Sequence, residues 1–144
     1  MLTSPFRTYA AYAETFAFEE RHKSASGMEA RIVREPVGVV AAIIPWNGPS
    51  GLMAQKCAPA LIAGCTLVVK PSPEAPGAAY LFAEICEEIG LPAGVVNVVM
   101  ADRAASEALV RNPGIDKVTF TGSTAAGRAI ARSEERRVGK ECRL

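Results

Sequence analysis

An α/β fold, a parallel sheet with helices on both faces, is predicted by three features of this 144-residue chain. Val37 to Ile44 is a continuous apolar run, as in a strand buried on both sides. Shorter strands are predicted at Thr66 to Val69, Val95 to Val99 and Lys117 to Phe120. Between them lie stretches whose apolar residues recur at helical spacing, and strands alternating with helices favour parallel pairing through right-handed crossovers.

The elements follow in order. Phe6, Tyr9, Ala10, Ala13, Phe16 and Ala17 recur every three or four residues, which predicts an amphipathic helix from about Pro5 to Lys23. Ser24-Ala25-Ser26-Gly27 breaks it. Glu29 to Arg34 alternates charged and apolar residues, the pattern of a half-exposed strand, and Pro36 and Gly38 separate it from the buried run. Ser50 to Ala63 reads as a helix stopped by Gly64, with Pro59 in a kink or first turn. Ala78, Leu81, Phe82, Ile85, Cys86 and Ile89 form one helical stripe, ended by Gly90 and Pro92. Ala104 to Arg111 is a short helix, and another begins at Thr124 with Thr121 or Ser123 as its cap.

Composition narrows the function. The chain is 49% apolar and 22% charged with a net charge of +1, which gives no electrostatic footprint for nucleic acid or an anionic membrane. No apolar run approaches the ~20 residues of a membrane span. The start, Met1-Leu2-Thr3-Ser4-Pro5, does not read as a signal peptide, so a cytoplasmic setting is expected. Cys57, Cys65, Cys86 and Cys142 lack the close spacing of a zinc site, and His22 is the lone histidine, so no metal is expected. Three of these cysteines sit in apolar stretches and read as small core residues, consistent with a reducing compartment.

Three motifs carry the chemistry. Ile43-Ile44-Pro45-Trp46-Asn47-Gly48-Pro49 places a side-chain amide at a strand end, stiffened by prolines. By itself it reads equally as a cap or turn residue near the helix at Ser50. Val68-Val69-Lys70-Pro71-Ser72 ends another strand with a cation. Phe120-Thr121-Gly122-Ser123-Thr124-Ala125-Ala126-Gly127 is a strand–turn–helix sequence of the kind that offers backbone N–H groups to a phosphate. It is neither a Walker loop nor a Gly-x-Gly-x-x-Gly fingerprint.

In this order, from about Phe6 to Ala131, the motifs resemble the cofactor-binding half of the NAD(P)-dependent aldehyde dehydrogenase superfamily. The resemblance implies a Rossmann-like domain and oxidation of an aldehyde to a carboxylic acid through a cysteine thioester. It makes Asn47 the oxyanion donor, a role worth ~3 kcal/mol. It places Ile43, Ile44, Pro45, Trp46, Lys70, Ser72, Gly122, Ser123 and Ala126 at the NAD or NADP site, with Lys70 on the adenosine ribose. It also implies that Met28 to Glu35 belongs to an arm pairing subunits in a homo-oligomeric parent enzyme.

The sequence departs from the family in several places. Many members carry a glutamate three residues after the lysine; here Pro73 stands there and Glu74 follows, which leaves NAD against NADP open. Met100-Ala101-Asp102-Arg103 stands where relatives often have glycines beside the adenine. The nucleophilic cysteine and general-base glutamate are expected beyond Leu144, and the family's earliest segment ahead of Met1, so this chain alone is expected to be inactive. Residues 1–131 then form a partial cofactor-binding domain. Residues 132–144 hold five basic and three acidic residues without an apolar stripe, and read either as foreign to the fold or as a solvated helix end. A non-catalytic dinucleotide-binding module and an acyl-CoA reductase of the same superfamily are the alternatives.

Overall fold

The computed structural model describes residues 3–141, with side chains from 4 to 133. The chain opens with α1 (Thr3–Thr15), then a two-stranded antiparallel ribbon of β1 (Glu19–Lys23) and β2 (Glu29–Val33). The predicted helix to Lys23 is therefore too long. Past Phe16 the sequence Glu19-Glu20-Arg21-His22-Lys23 has no apolar side to bury, and its backbone pairs with β2 instead, Glu19 opposite Val33. Gly27, at φ 83°, makes the turn. Arg34 ties the ribbon to the end of α1: it bonds Glu20 and the Ala17 carbonyl, both at 2.6 Å, and covers the Phe16 ring. The ribbon stands apart from the main sheet, as expected for the Glu29 segment, but β2 is exposed along its whole length rather than on one face.

The main sheet is parallel, in the order β5-β4-β3-β6. Its strands are β3 (Val39–Ile43), β4 (Thr66–Lys70), β5 (Val96–Val98) and β6 (Lys117–Phe120). The chain steps outward from β3 through α2 (Pro49–Ile62), β4 and α3 (Gly77–Glu88) to β5, then crosses back by α4 (Arg103–Arg111) to β6 on the far side of β3. With right-handed crossovers this reversal puts α2 and α3 on one face and α4 on the other. α5 (Thr124–Glu141) follows β6, so the expected tail begins within a continuous helix. Its residues from Glu134 on lie outside the described side chains.

The core lies under α2 and α3. Val40, Ala42 and Ile44 alternate onto this face of β3, Leu67 and Val69 onto that of β4, and Met53, Cys57, Phe82 and Cys86 cover them. Phe6 of α1 stacks on Phe82 with centroids 5.5 Å apart. Pro59 lies inside α2, one turn before its end, rather than in a first turn. Among the described residues no helix is long and apolar enough to cross a membrane.

The amino end of the sheet is pinned by Asp116. Its carboxylate accepts from Val39 N–H at 2.7 Å, while its own N–H donates to the Val39 carbonyl at 2.9 Å. Gly38, at φ 112°, leaves the space this carboxylate fills.

Candidate functional site

Parallel strands deliver all their carboxyl ends to one edge, and the order reversal between β3 and β6 opens a crevice there. Ile43 pairs with Lys70 on one side and Phe120 on the other. The loops carrying Asn47, Lys70 with Ser72, and Gly122 with Ser123 therefore leave the same edge, as the motif order suggested.

The residues of the first loop divide by burial. Ile43 and Ile44 are buried, and the Ile44 N–H donates to the Lys70 carbonyl at 3.0 Å, so they support the edge and can offer a ligand only main-chain atoms. Pro45 is half-buried, whereas Asn47 and Trp46 (66% exposed) project from the edge. Asn47 is not a helix cap: the N-cap of α2 is Gly48, in the left-handed region at φ 69°, with no side-chain cap bond, and Pro49 opens the helix. The amide is thus left for another partner.

In the second loop the Ser72 hydroxyl donates to the Glu74 carboxylate. That bond, Glu74's own backbone N–H and the charge of Lys70 hold this carboxyl below the usual carboxylate range. The serine is thus engaged with Glu74.

The third loop forms an open groove of about 500 Å³, bordered by Phe120, Thr121, Gly122, Ser123 and Arg128. Ser123, not Thr121, caps α5, its Oγ accepting from Ala126 N–H at 3.3 Å. The Ala126 N–H is thereby taken up inside the cap. With no acidic residue in its first turn, α5 presents an uncompensated positive dipole end here. Gly122 sits close against the Phe120 side chain. A Cβ there would stand 2.5 Å from Cζ of Phe120, so the glycine makes room for the ring; at Gly127 the distance to the ring would be an ordinary 3.7 Å. Asn47 and Lys70 share the edge with this groove but do not line it.

Two residues were missed by sequence reasoning. Lys56 reaches from α2 to β6, its Nζ donating to Thr119 Oγ1 at 3.2 Å, and partial burial lowers its pKa. The signal was a lone cation between Ala54 and Ala58, both buried. Asp102, in the segment that departs from the family pattern, caps α4 by accepting from Ala105 N–H at 2.8 Å.

The buried cysteines are core residues, as expected: Cys57, Cys65 and Cys86 are 0%, 4% and 7% exposed. Burial, with Cys86 nearby, pushes the Cys57 thiol up to about 12. Cys142 lies outside the described residues.

The donor set suits an elongated ligand with a phosphate and a diol: an exposed indole, a cation beside a carboxylate, and a helix N-terminus along one edge.

Comparison with known proteins agrees. The sequence model of the Aldehyde dehydrogenase family matches residues 2–144. Geranial dehydrogenase of Castellaniella defragrans is 52% identical over 130 residues, covering 90% of this chain and 27% of that protein. Aminoacetaldehyde dehydrogenase of Pseudomonas aeruginosa is 49% identical, over 78% of this chain and 24% of its own length. The crystal structure of Mycobacterium tuberculosis aldehyde dehydrogenase complexed with NAD+ superposes with a TM-score of 0.88 at 42% identity, over 94% of this chain and 28% of that one. The chain thus spans about a quarter of the length of these relatives.

Proposed function

The chain belongs to the aldehyde dehydrogenase family, and we propose that it supplies the dinucleotide-binding edge and oxyanion donor of an NAD(P)-dependent enzyme oxidising an aldehyde to its acid. The observation that carries this reading is the strand register, which sets Lys70, Ile43 and Phe120 abreast and sends their loops out together.

Bound at this edge, the dinucleotide supplies the electron acceptor. The chain's own residues bind and orient. The α5 N-terminus, with Ser123, takes a phosphate; Lys70 donates to a ribose hydroxyl; Trp46 lines the cleft. Asn47, held between Pro45 and the Gly48-Pro49 helix start, directs its amide N–H at the oxygen that becomes negative when a thiolate adds to the aldehyde. The thiolate and general base come from outside the described residues. Cys57, Cys65 and Cys86 are sealed in the core, out of a substrate's reach. On this reading the isolated chain binds the dinucleotide without turning over an aldehyde.

Titration of the chain with NAD+ and NADP+, followed through Trp46, the single tryptophan, tests the reading. Saturable quenching is expected; no binding of either at millimolar concentration overturns it. The ribbon of β1 and β2, which exposes Ile32 and Val33, is proposed as the subunit-pairing arm of the complete enzyme. Light scattering showing a monomer at every concentration would rule that out.

A further inference from the structure

We propose that Asn47-Gly48 is a self-modification site, at which the asparagine spontaneously loses its amide nitrogen and becomes aspartate or isoaspartate. The consequence for catalysis rests on the oxyanion reading of Asn47; the modification itself does not.

Asparagine is a thermolabile side chain, and the fold sets the three in this chain apart: Asn47, Asn97 and Asn112. Asn97 lies in β5, paired with β4, and its amide donates to the Leu67 carbonyl at 3.1 Å and the Gly94 carbonyl at 2.8 Å. The β-branched Val98 follows it and crowds the next nitrogen. Asn112 accepts from Gly114 N–H at 2.8 Å and precedes Pro113, whose nitrogen carries no hydrogen. Asn47 is exposed, and among the described residues nothing bonds its amide or the Gly48 N–H. Gly48 has no side chain to shield its nitrogen, and no other part of the fold comes within 4 Å of where a Cβ would stand.

The reaction begins when the Gly48 nitrogen gives up its proton and attacks Cγ of Asn47. A bond forms between that nitrogen and Cγ, the bond from Cγ to the side-chain nitrogen breaks, and ammonia leaves with the proton. Water then opens the cyclic imide at either carbonyl, giving aspartate or isoaspartate. The helix assists the first step. Gly48 is the N-cap of α2, which has no acidic residue in its first turn, so the positive dipole end stabilises negative charge arising on this nitrogen. Because the attacking form is the deprotonated nitrogen, conversion quickens as pH rises. On the oxyanion reading the product is damaging. Its carboxylate has no N–H to donate and carries the same sign as the oxygen it would face.

Incubation of the full folded chain at neutral and at alkaline pH, with peptide mapping by mass spectrometry, tests the proposal. Asn47 is expected to be lost progressively, faster at alkaline pH, with isoaspartate at that position. Asn97 and Asn112, read from the same digest, should keep their amides. Gly48→Ala should slow the loss several-fold, since a methyl group then stands beside the attacking nitrogen. A synthetic peptide of residues 43–50 gives the rate without the fold. An Asn47 that keeps its amide in the folded chain while the peptide converts overturns the proposal, and so does equal loss at all three asparagines. In an enzyme completed with the segments that relatives carry, activity should fall in step with the converted fraction. Conversion with activity fully retained would uphold the modification and overturn the oxyanion reading instead.

Discussion

The ring of Phe120 lies against Gly122, where a Cβ would come within 2.5 Å of Cζ. The last residue of β6 thus fixes the turn that follows it. Gly122→Ala is expected to displace the ring and lower stability by ~1–3 kcal/mol, the usual cost of overpacking. Gly127→Ala, in α5 and clear of the ring, should instead raise stability by ~0.5–1 kcal/mol through helix propensity. Urea denaturation of the two variants checks this; equal losses at both sites would contradict it.

At the opposite edge, Gly38 and Asp116 are expected to be coupled. Asp116→Ala removes the acceptor of Val39 N–H and should cost ~1–3 kcal/mol. Gly38→Ala should cost at least as much, because its Cβ meets the carboxylate and its φ is 112°. The double variant should lose less than the sum of the two, since one part of the Gly38→Ala penalty is the clash that Asp116→Ala removes. Strict additivity in a double-mutant cycle would refute the coupling.

Cys57 should make the fold alkali-sensitive. Its pKa rises from the ordinary 9.0 to about 12 on folding. Between those values the unfolded chain releases a proton that the folded chain keeps, so this contribution is complete below pH 9 and falls as pH rises towards 12. Urea midpoints measured from pH 7.5 to 10.5 should decline less steeply in Cys57→Ala than in the wild type. Native Cys57 should also resist a thiol-specific disulfide reagent at pH 8 until the chain unfolds.

Lys56 acts in the opposite sense. Burial lowers its pKa below the ordinary 10.5, so the folded chain gives up this proton first and stability rises with pH through that window. Lys56→Met removes the rise and should steepen the alkaline decline that Cys57 causes. A slope identical to wild type would show that the ammonium carries no desolvation cost.

For Asn47 the informative experiment uses an enzyme completed with the segments that relatives carry on either side. Asn47→Ala should lower kcat ~10²–10³-fold, the loss expected for one oxyanion donor. Lys70→Ala should mainly raise the cofactor KM. Near-normal kcat in Asn47→Ala, with chemistry rate-limiting, would exclude the oxyanion role.

The sequence by itself determined the parallel α/β architecture, the positions of the four sheet strands and the order of the three motifs. These are local properties: apolar runs, helical stripes and glycine stops are each written within a few residues. Tertiary structure decided what depends on residues far apart in the chain. Glu19 to Lys23 lacks an apolar side that would hold it in the predicted helix, but it becomes a strand because Glu29 to Val33 pairs with it. Gly38 is dictated by Asp116, and Lys56 finds Thr119 across the sheet. Asn47 was equally readable as a cap until the backbone of Gly48 took that position. For the ribbon, for Gly38 and for Lys56 the deciding contact is made only after the strands have paired, and strand register is a property of the assembled sheet rather than of any one segment.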